Sequence, residues 1–214
     1  MLESQIQVLE RAACIPVPLT QSGFNPDCVL PHGLMVNHVK AAMQDFLEFL
    51  GFINTQLNGK GIRRLETMLM SANFSSMVGE YCIAAISKYC PTLIKNNYHN
   101  GHPDLIPIGM FPNDAVLYGR QGIEVKASRY PRGWQGHNVE ASWLMVFTFT
   151  ASRGADEGRG IDPRPFQFDG VYGAQLEESD WTFSGRSATS RRTITASVNP
   201  SGLAKMTANW IYRR

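Results

Sequence analysis

The segment that most constrains the fold is Trp143-Leu144-Met145-Val146-Phe147-Thr148-Phe149-Thr150, a run of aromatic, aliphatic and β-branched residues. Its composition predicts a strand, and its apolar residues stand at consecutive rather than alternate positions. Both faces of such a strand must be covered. It therefore belongs in the centre of a sheet with packed layers on either side, and a chain of 214 residues is long enough to supply those layers within one domain.

Helices are predicted on the N-terminal side of Pro91. Val39, Met43, Phe46, Leu47, Leu50 and Phe52 recur at helical spacing and predict a helix over about residues 34–53. Ile62, Leu65, Met68 and Leu69 predict a second helix, closed by Ser71 to Asn73. Met77, Tyr81, Ile83, Ala84 and Ile86 predict a third, which ends near Cys90 because Pro91 lacks the backbone N–H needed to continue it. Upstream, Pro16, Pro18, Pro26 and Pro31 make the start of the chain irregular.

Beyond Pro91, short apolar runs alternate with Gly, Pro, Asn and Asp, the pattern of strands and turns. Strands are predicted at Leu105 to Ile108, Ala115 to Tyr118 and Gly122 to Ala127, with a turn at Pro112-Asn113-Asp114. The stretch 152–173, which carries Arg153, Arg159 and Arg164, is predicted as a long ordered loop. Weak alternation over 181–198 and 206–213 predicts further strands. The expected whole is a single α/β domain over 1–214: a helical part at 1–73, a core at 74–150 and a β-rich extension at 151–214.

A formal charge of +2 makes no bulk case for polyanion binding, so any nucleic-acid function must be argued from a site. Locally, Arg120, Lys126, Arg129 and Arg132 face only Glu124 over 120–132, which is a basic strip. Cys14, Cys28, Cys82 and Cys90 form no CxxC pair and are read as reduced thiols. A zinc site from Cys28 and His32 with Cys14 or His38 fits no familiar spacing. No apolar run approaches the ~20 residues of a membrane span, and the Met-Leu-Glu-Ser-Gln start lacks the pattern of a secretory leader. The expectation is an intracellular protein without a membrane segment.

The chemistry gathers around His102-Pro103-Asp104 and Glu124-Val125-Lys126. Within a strand, Glu124 and Lys126 project from one face while Val125 points to the other. With the turn at 112–114, the two segments are placed to pair, bringing Asp104 to Glu124. Two carboxylates and an ammonium on one face suit a divalent, oxygen-liganded metal beside a positive charge. Hydrolysis of a phosphodiester calls for those elements: an activated water and positive charge against the developing phosphorane. The triplet Glu124-x-Lys126 is the only (Asp/Glu)-x-Lys in the sequence, whereas Pro103-Asp104 has a second copy at Pro26-Asp27.

On Pro103-Asp104 and on Glu124-Val125-Lys126 within Gly122-Ile123-Glu124-Val125-Lys126-Ala127-Ser128, the chain resembles the PD-(D/E)xK nuclease superfamily, in particular the type II restriction endonucleases. The resemblance covers about residues 74–150. It implies a restriction-endonuclease-like core, a mixed central β-sheet flanked by helices, with Asp104 at the start of one strand and Glu124 and Lys126 on its hairpin partner. It further implies Mg²⁺ as cofactor, with Mn²⁺ able to substitute, held by Asp104 and Glu124, and a helical carboxylate matched by Glu80. Expected partners are double-stranded DNA and a second copy of the chain, in the cytoplasm of a prokaryotic-type cell. The loop after the catalytic strand supplies candidate DNA contacts in Arg129, Arg132, Trp134, Gln135, His137 and Asn138, which combine cations, amides and an aromatic ring. The extension at 151–214 is the expected place for further sequence recognition. A junction-resolving or repair nuclease on the same core, and a non-catalytic nucleic-acid-binding protein, remain as alternatives.

Overall fold

The structure is a computed structural model that describes residues 5–136, 141–184 and 195–214. Its helices are α1 (Gln5–Ala13), α2 (Val36–Asn58), α3 (Leu65–Met68), α4 (Ser71–Tyr89) and α5 (Pro200–Ala208). Its strands are β1 (Leu93–Lys95), β2 (Leu105–Pro107), β3 (Ile123–Ser128), β4 (Gln135–Gly136), β5 (Trp143–Thr150), β6 (Gln167–Gln175), β7 (Trp181–Ser184), β8 (Thr195–Val198) and β9 (Trp210–Arg213). A mixed six-stranded sheet has the order β1-β2-β3-β5-β6-β9, and a three-stranded sheet has the order β4-β8-β7.

β5 lies inside the large sheet, parallel to β3 and antiparallel to β6. Its side chains divide by parity between two cores. Trp143, Met145, Phe147 and Phe149 pack with Val39, Phe46, Phe74 and Val78 of α2 and α4. Leu144 and Val146 pack with Trp134, Trp181, Val198 and Met206 beneath the small sheet and α5. The same parity governs β3: Ile123 and Val125 join the α2 and α4 core, so Glu124 and Lys126 project from the opposite face.

The sheet that carries the site is not confined to 74–150, because β6 and β9 are two of its six strands. The stretch expected as loop over 152–173 gives way to strand at Gln167, since Phe168 and Val171 complete the apolar layer. Ala115 to Tyr118, expected as a strand, forms only a single bridge between Tyr118 and His102. Leu117 and Tyr118 are each 59% exposed, so no buried face holds that segment in a ladder. β1 escaped the sequence pattern because three residues are too few to display alternation. The strand expected over 206–213 begins only at Trp210, because residues 206–208 belong to α5, where Asn199 accepts the N–H groups of Ser201 and Gly202 and Pro200 occupies the first turn, a regular helix start.

The N-terminal helices are tied to the loop before β6 by Arg64, whose side chain is fully buried. Its guanidinium pairs with Glu66, binds Glu10 at 2.8 Å and donates to the carbonyl of Arg164 at 3.1 Å and to Ser152 Oγ at 3.3 Å. Among the described residues, no helix is long and apolar enough to cross a membrane.

Candidate active site

Asp104 stands immediately before β2, and Glu124 and Lys126 lie on β3, its antiparallel neighbour. The Val125 N–H donates to Asp104 Oδ2 at 2.8 Å, which fixes the carboxyl group against β3. Lys126 Nζ donates to Glu124 Oε1 at 2.7 Å, as same-face neighbours two positions apart should. The three residues that the sequence singled out for chemistry are therefore adjacent.

A fourth member is His102. Its Nδ1 lies 2.9 Å from Glu124 Oε2 and, facing a carboxylate, carries the proton in that bond. The ring is stacked on Tyr118, with centroids 5.4 Å apart. The His102 N–H donates to the Leu117 carbonyl at 3.0 Å, and its own carbonyl accepts from Gly119 at 2.8 Å, so the segment expected as a strand instead buttresses this histidine. The backbone of Asp104 is held by buried Asn96: the Asn96 N–H donates to the Asp104 carbonyl at 2.8 Å, and its amide donates to Pro103 O at 3.1 Å and to Val116 O at 2.8 Å. A histidine beside Pro-Asp was visible in the sequence as a neighbour only, and no local pattern marked Asn96.

Burial, and then the negative charge of Glu124, pushes Asp104 up to about 7 against the lowering effect of the Val125 N–H and the Lys126 charge. Burial also works to raise Glu124, but the His102 hydrogen bond and the Lys126 charge outweigh it and hold Glu124 down at about 2. Asp104 thus holds its proton to a higher pH beside the Glu124 charge, at a place where a cation would relieve the same repulsion. Each carboxylate oxygen retains acceptor capacity beyond the bonds described, so the donor set fits a hard divalent ion. Among the described residues, no three of His, Cys, Asp and Glu are grouped to hold a metal by themselves. A cation shared by Asp104 and Glu124 would complete its shell with water and phosphate oxygens, as magnesium commonly does.

Several expected site residues are placed elsewhere. Glu80 is on α4, which covers the other face of β3, and its carboxylate is 59% exposed and paired with Lys95 Nζ at 2.5 Å. It stands across the sheet from Glu124. Arg129 donates to the carbonyls of Ala151 at 2.6 Å and Ser152 at 3.3 Å, and its guanidinium lies over the rings of Phe74 and Phe149. That makes it a brace between β3 and the end of β5. Trp134 is buried at 3% exposure, donates to the Tyr130 carbonyl and stacks on Tyr172, so the ring packs mainly in the second core. Arg132 and Gln135 are exposed, and His137 and Asn138 lie outside the described residues.

Compared with known proteins, the chain matches no family model, no curated protein and no solved structure.

Proposed function

We propose that the chain is a magnesium-dependent DNA endonuclease of the PD-(D/E)xK type, with Asp104, Glu124 and Lys126 as catalytic residues. The observation that carries this reading is the meeting of two carboxyl groups and an ammonium at the step from β2 to β3, with Asp104 on the Val125 N–H and Lys126 on Glu124. The order of elements supports the restriction-endonuclease-like form of the fold: α4, then Asp104 at the start of β2, then Glu124 and Lys126 on antiparallel β3.

In this reading Asp104 and Glu124 hold Mg²⁺, or Mn²⁺ in its place. When bound, the ion supplies Lewis acidity and positive charge at the phosphoryl group. The Val125 N–H and His102 keep the two carboxyl groups in position, so little reorganisation is required as charge develops. Lys126 brings an ammonium to the same face, where it orients the attacking water and stabilises the phosphorane. In its finer form, the protein is a type II restriction enzyme acting on a short duplex sequence. Cutting both strands with one site per chain then calls for a two-fold dimer.

Incubation of purified protein with plasmid DNA and Mg²⁺ tests this directly. Discrete fragments are expected, supported also by Mn²⁺, abolished by excess EDTA and suppressed when Ca²⁺ replaces Mg²⁺. Cleavage only of branched or damaged DNA would assign a resolving or repair enzyme instead. Undiminished cutting in EDTA, or binding without any cutting, would remove the proposed chemistry.

A further inference from the structure

Beside the catalytic face, Lys126 opens onto a cleft of about 410 Å³ between the first turns of α4, the end of β3 and the turn at 153. The lining carries Lys126, Arg129 and Arg153 together with Ser71, Ser75 and Ser128, and among the described residues it contains no carboxylate. Three cations border one small space, and among the described residues only Lys126 of the three has a carboxylate partner in a salt bridge, Glu124. Burial, and then the charge of Arg153, pushes the Arg129 guanidinium below its ordinary value. An anion in the cleft would offset that repulsion and find hydroxyl groups on α4 and at the end of β3.

The cations are not equivalent. Lys126 donates to Glu124, and Arg129 spends both terminal nitrogens on carbonyls. Arg153, by contrast, commits its backbone N–H to Asp156 Oδ2 at 2.8 Å. The turn that carries it is anchored by Arg63, which donates to the Gly154 carbonyl at 3.3 Å and to the Thr67 carbonyl at 3.1 Å. The backbone at Arg153 is thus fixed where the residue borders the cleft, close enough for its charge to act on Arg129.

We propose that this cleft holds a backbone phosphate of a DNA strand next to the scissile one, with Arg153 as its charged contact and Ser71, Ser75 and Ser128 as hydroxyl donors. The assignment of the neighbouring phosphate as scissile rests on the nuclease reading above. The cleft itself is a claim about binding and is measured without turnover. Arg153 lies some way along the chain from the catalytic triplet and in a loop, so nothing in the local motif marks it for this role.

The test is the affinity of the full-length protein for a short labelled DNA duplex in EDTA, followed across a series of salt concentrations. Arg153→Gln is expected to weaken binding about tenfold and to lower the salt slope by about one, the signature of one lost phosphate contact. Ser75→Asp, which puts a negative charge into the cleft, should weaken binding at least as much. Lys88→Gln removes the same charge near the far end of α4, about 25 Å away on a helix of this length, and should leave the slope unchanged. Arg153 is exposed and substitution there spares the core, so loss of folding does not confuse the result. Equal slopes and affinities for parent and Arg153→Gln would overturn the proposal. Binding of inorganic phosphate by the parent without binding of the duplex would overturn it too, leaving a free-anion site. Duplex binding that depends on Arg153, with no cleavage when Mg²⁺ is added, would support the cleft while removing the nuclease reading.

Discussion

Gly122 approaches Leu105 so closely that a Cβ at position 122 would lie 2.2 Å from the Leu105 carbonyl oxygen. It would also lie 2.5 Å from Pro103 Cγ, and the backbone at Gly122 has φ +142, a conformation open to glycine and strained for other residues. This contact sets the distance between the strand start that bears Asp104 and the strand that bears Glu124. Gly122→Ala should therefore lower stability by roughly 3 kcal/mol and reduce cleavage even in the folded fraction. Urea denaturation together with cleavage under native conditions measures both, and a variant with parental midpoint and rate would sink the claim.

Asp104→Ala, Glu124→Ala and Lys126→Ala should each lower single-turnover cleavage by at least about 100-fold, because each removes a group that acts on the transition state. Asp27→Ala, in the exposed second Pro-Asp pair, should retain the parental rate. Glu80→Gln should also remain within about threefold, since its carboxylate lies across the sheet on Lys95. A dead Glu80→Gln that remains folded would show that the α4 side of the sheet takes part in the chemistry.

The carboxyl pair has a pH signature that needs no activity. Asp104 is raised from 3.8 to about 7, so the folded state holds a proton that the unfolded chain releases in that window. Its stabilising contribution is complete below about pH 4 and is lost as pH rises through about 7. Glu124, lowered from 4.5 to about 2, contributes stability above about pH 4.5 that is lost as pH falls through about 2. From about pH 5 to 8 only the Asp104 slope remains of the two, and it runs downward. The Tm of metal-free protein should show this component, and Asp104→Asn should flatten it. Millimolar Mg²⁺ should raise Tm at about pH 8 and have little effect at about pH 5, where the proton occupies the pair. A Mg²⁺ shift of equal size at both pH values would place the ion elsewhere.

Arg129→Ala should cost about 2 kcal/mol of stability, because it removes hydrogen bonds from a cation to two carbonyls and its packing over Phe74 and Phe149. Arg132→Ala, on the exposed part of the same loop, should change stability by less than about 0.5 kcal/mol. Thermal or denaturant unfolding of the two variants decides the matter, and equal midpoints would mean that the Arg129 brace is energetically silent.

What could be read from the sequence alone was local in range. Most of α2 and α4, the central strand β5, and the common face of Glu124 and Lys126 follow from periodicity, which neighbours along the chain impose on one another, although α2 runs on to Asn58, past the end expected at about residue 53. The juxtaposition of Asp104 with that face also followed, because the turn at 112–114 limits where the two segments can go. Which side of the sheet α4 would cover was decided only by long-range packing, through Phe74 and Val78 against Ile123 and Val125, and that choice carried Glu80 away from the site. The same packing drew Arg129 beneath β5 and Trp134 into the second core, since an exposed and a buried role for either residue have the same local sequence. His102 and Asn96 acquired their places through hydrogen bonds to residues about 20 positions away, Glu124 and Val116, so their roles exist only once the strands have paired.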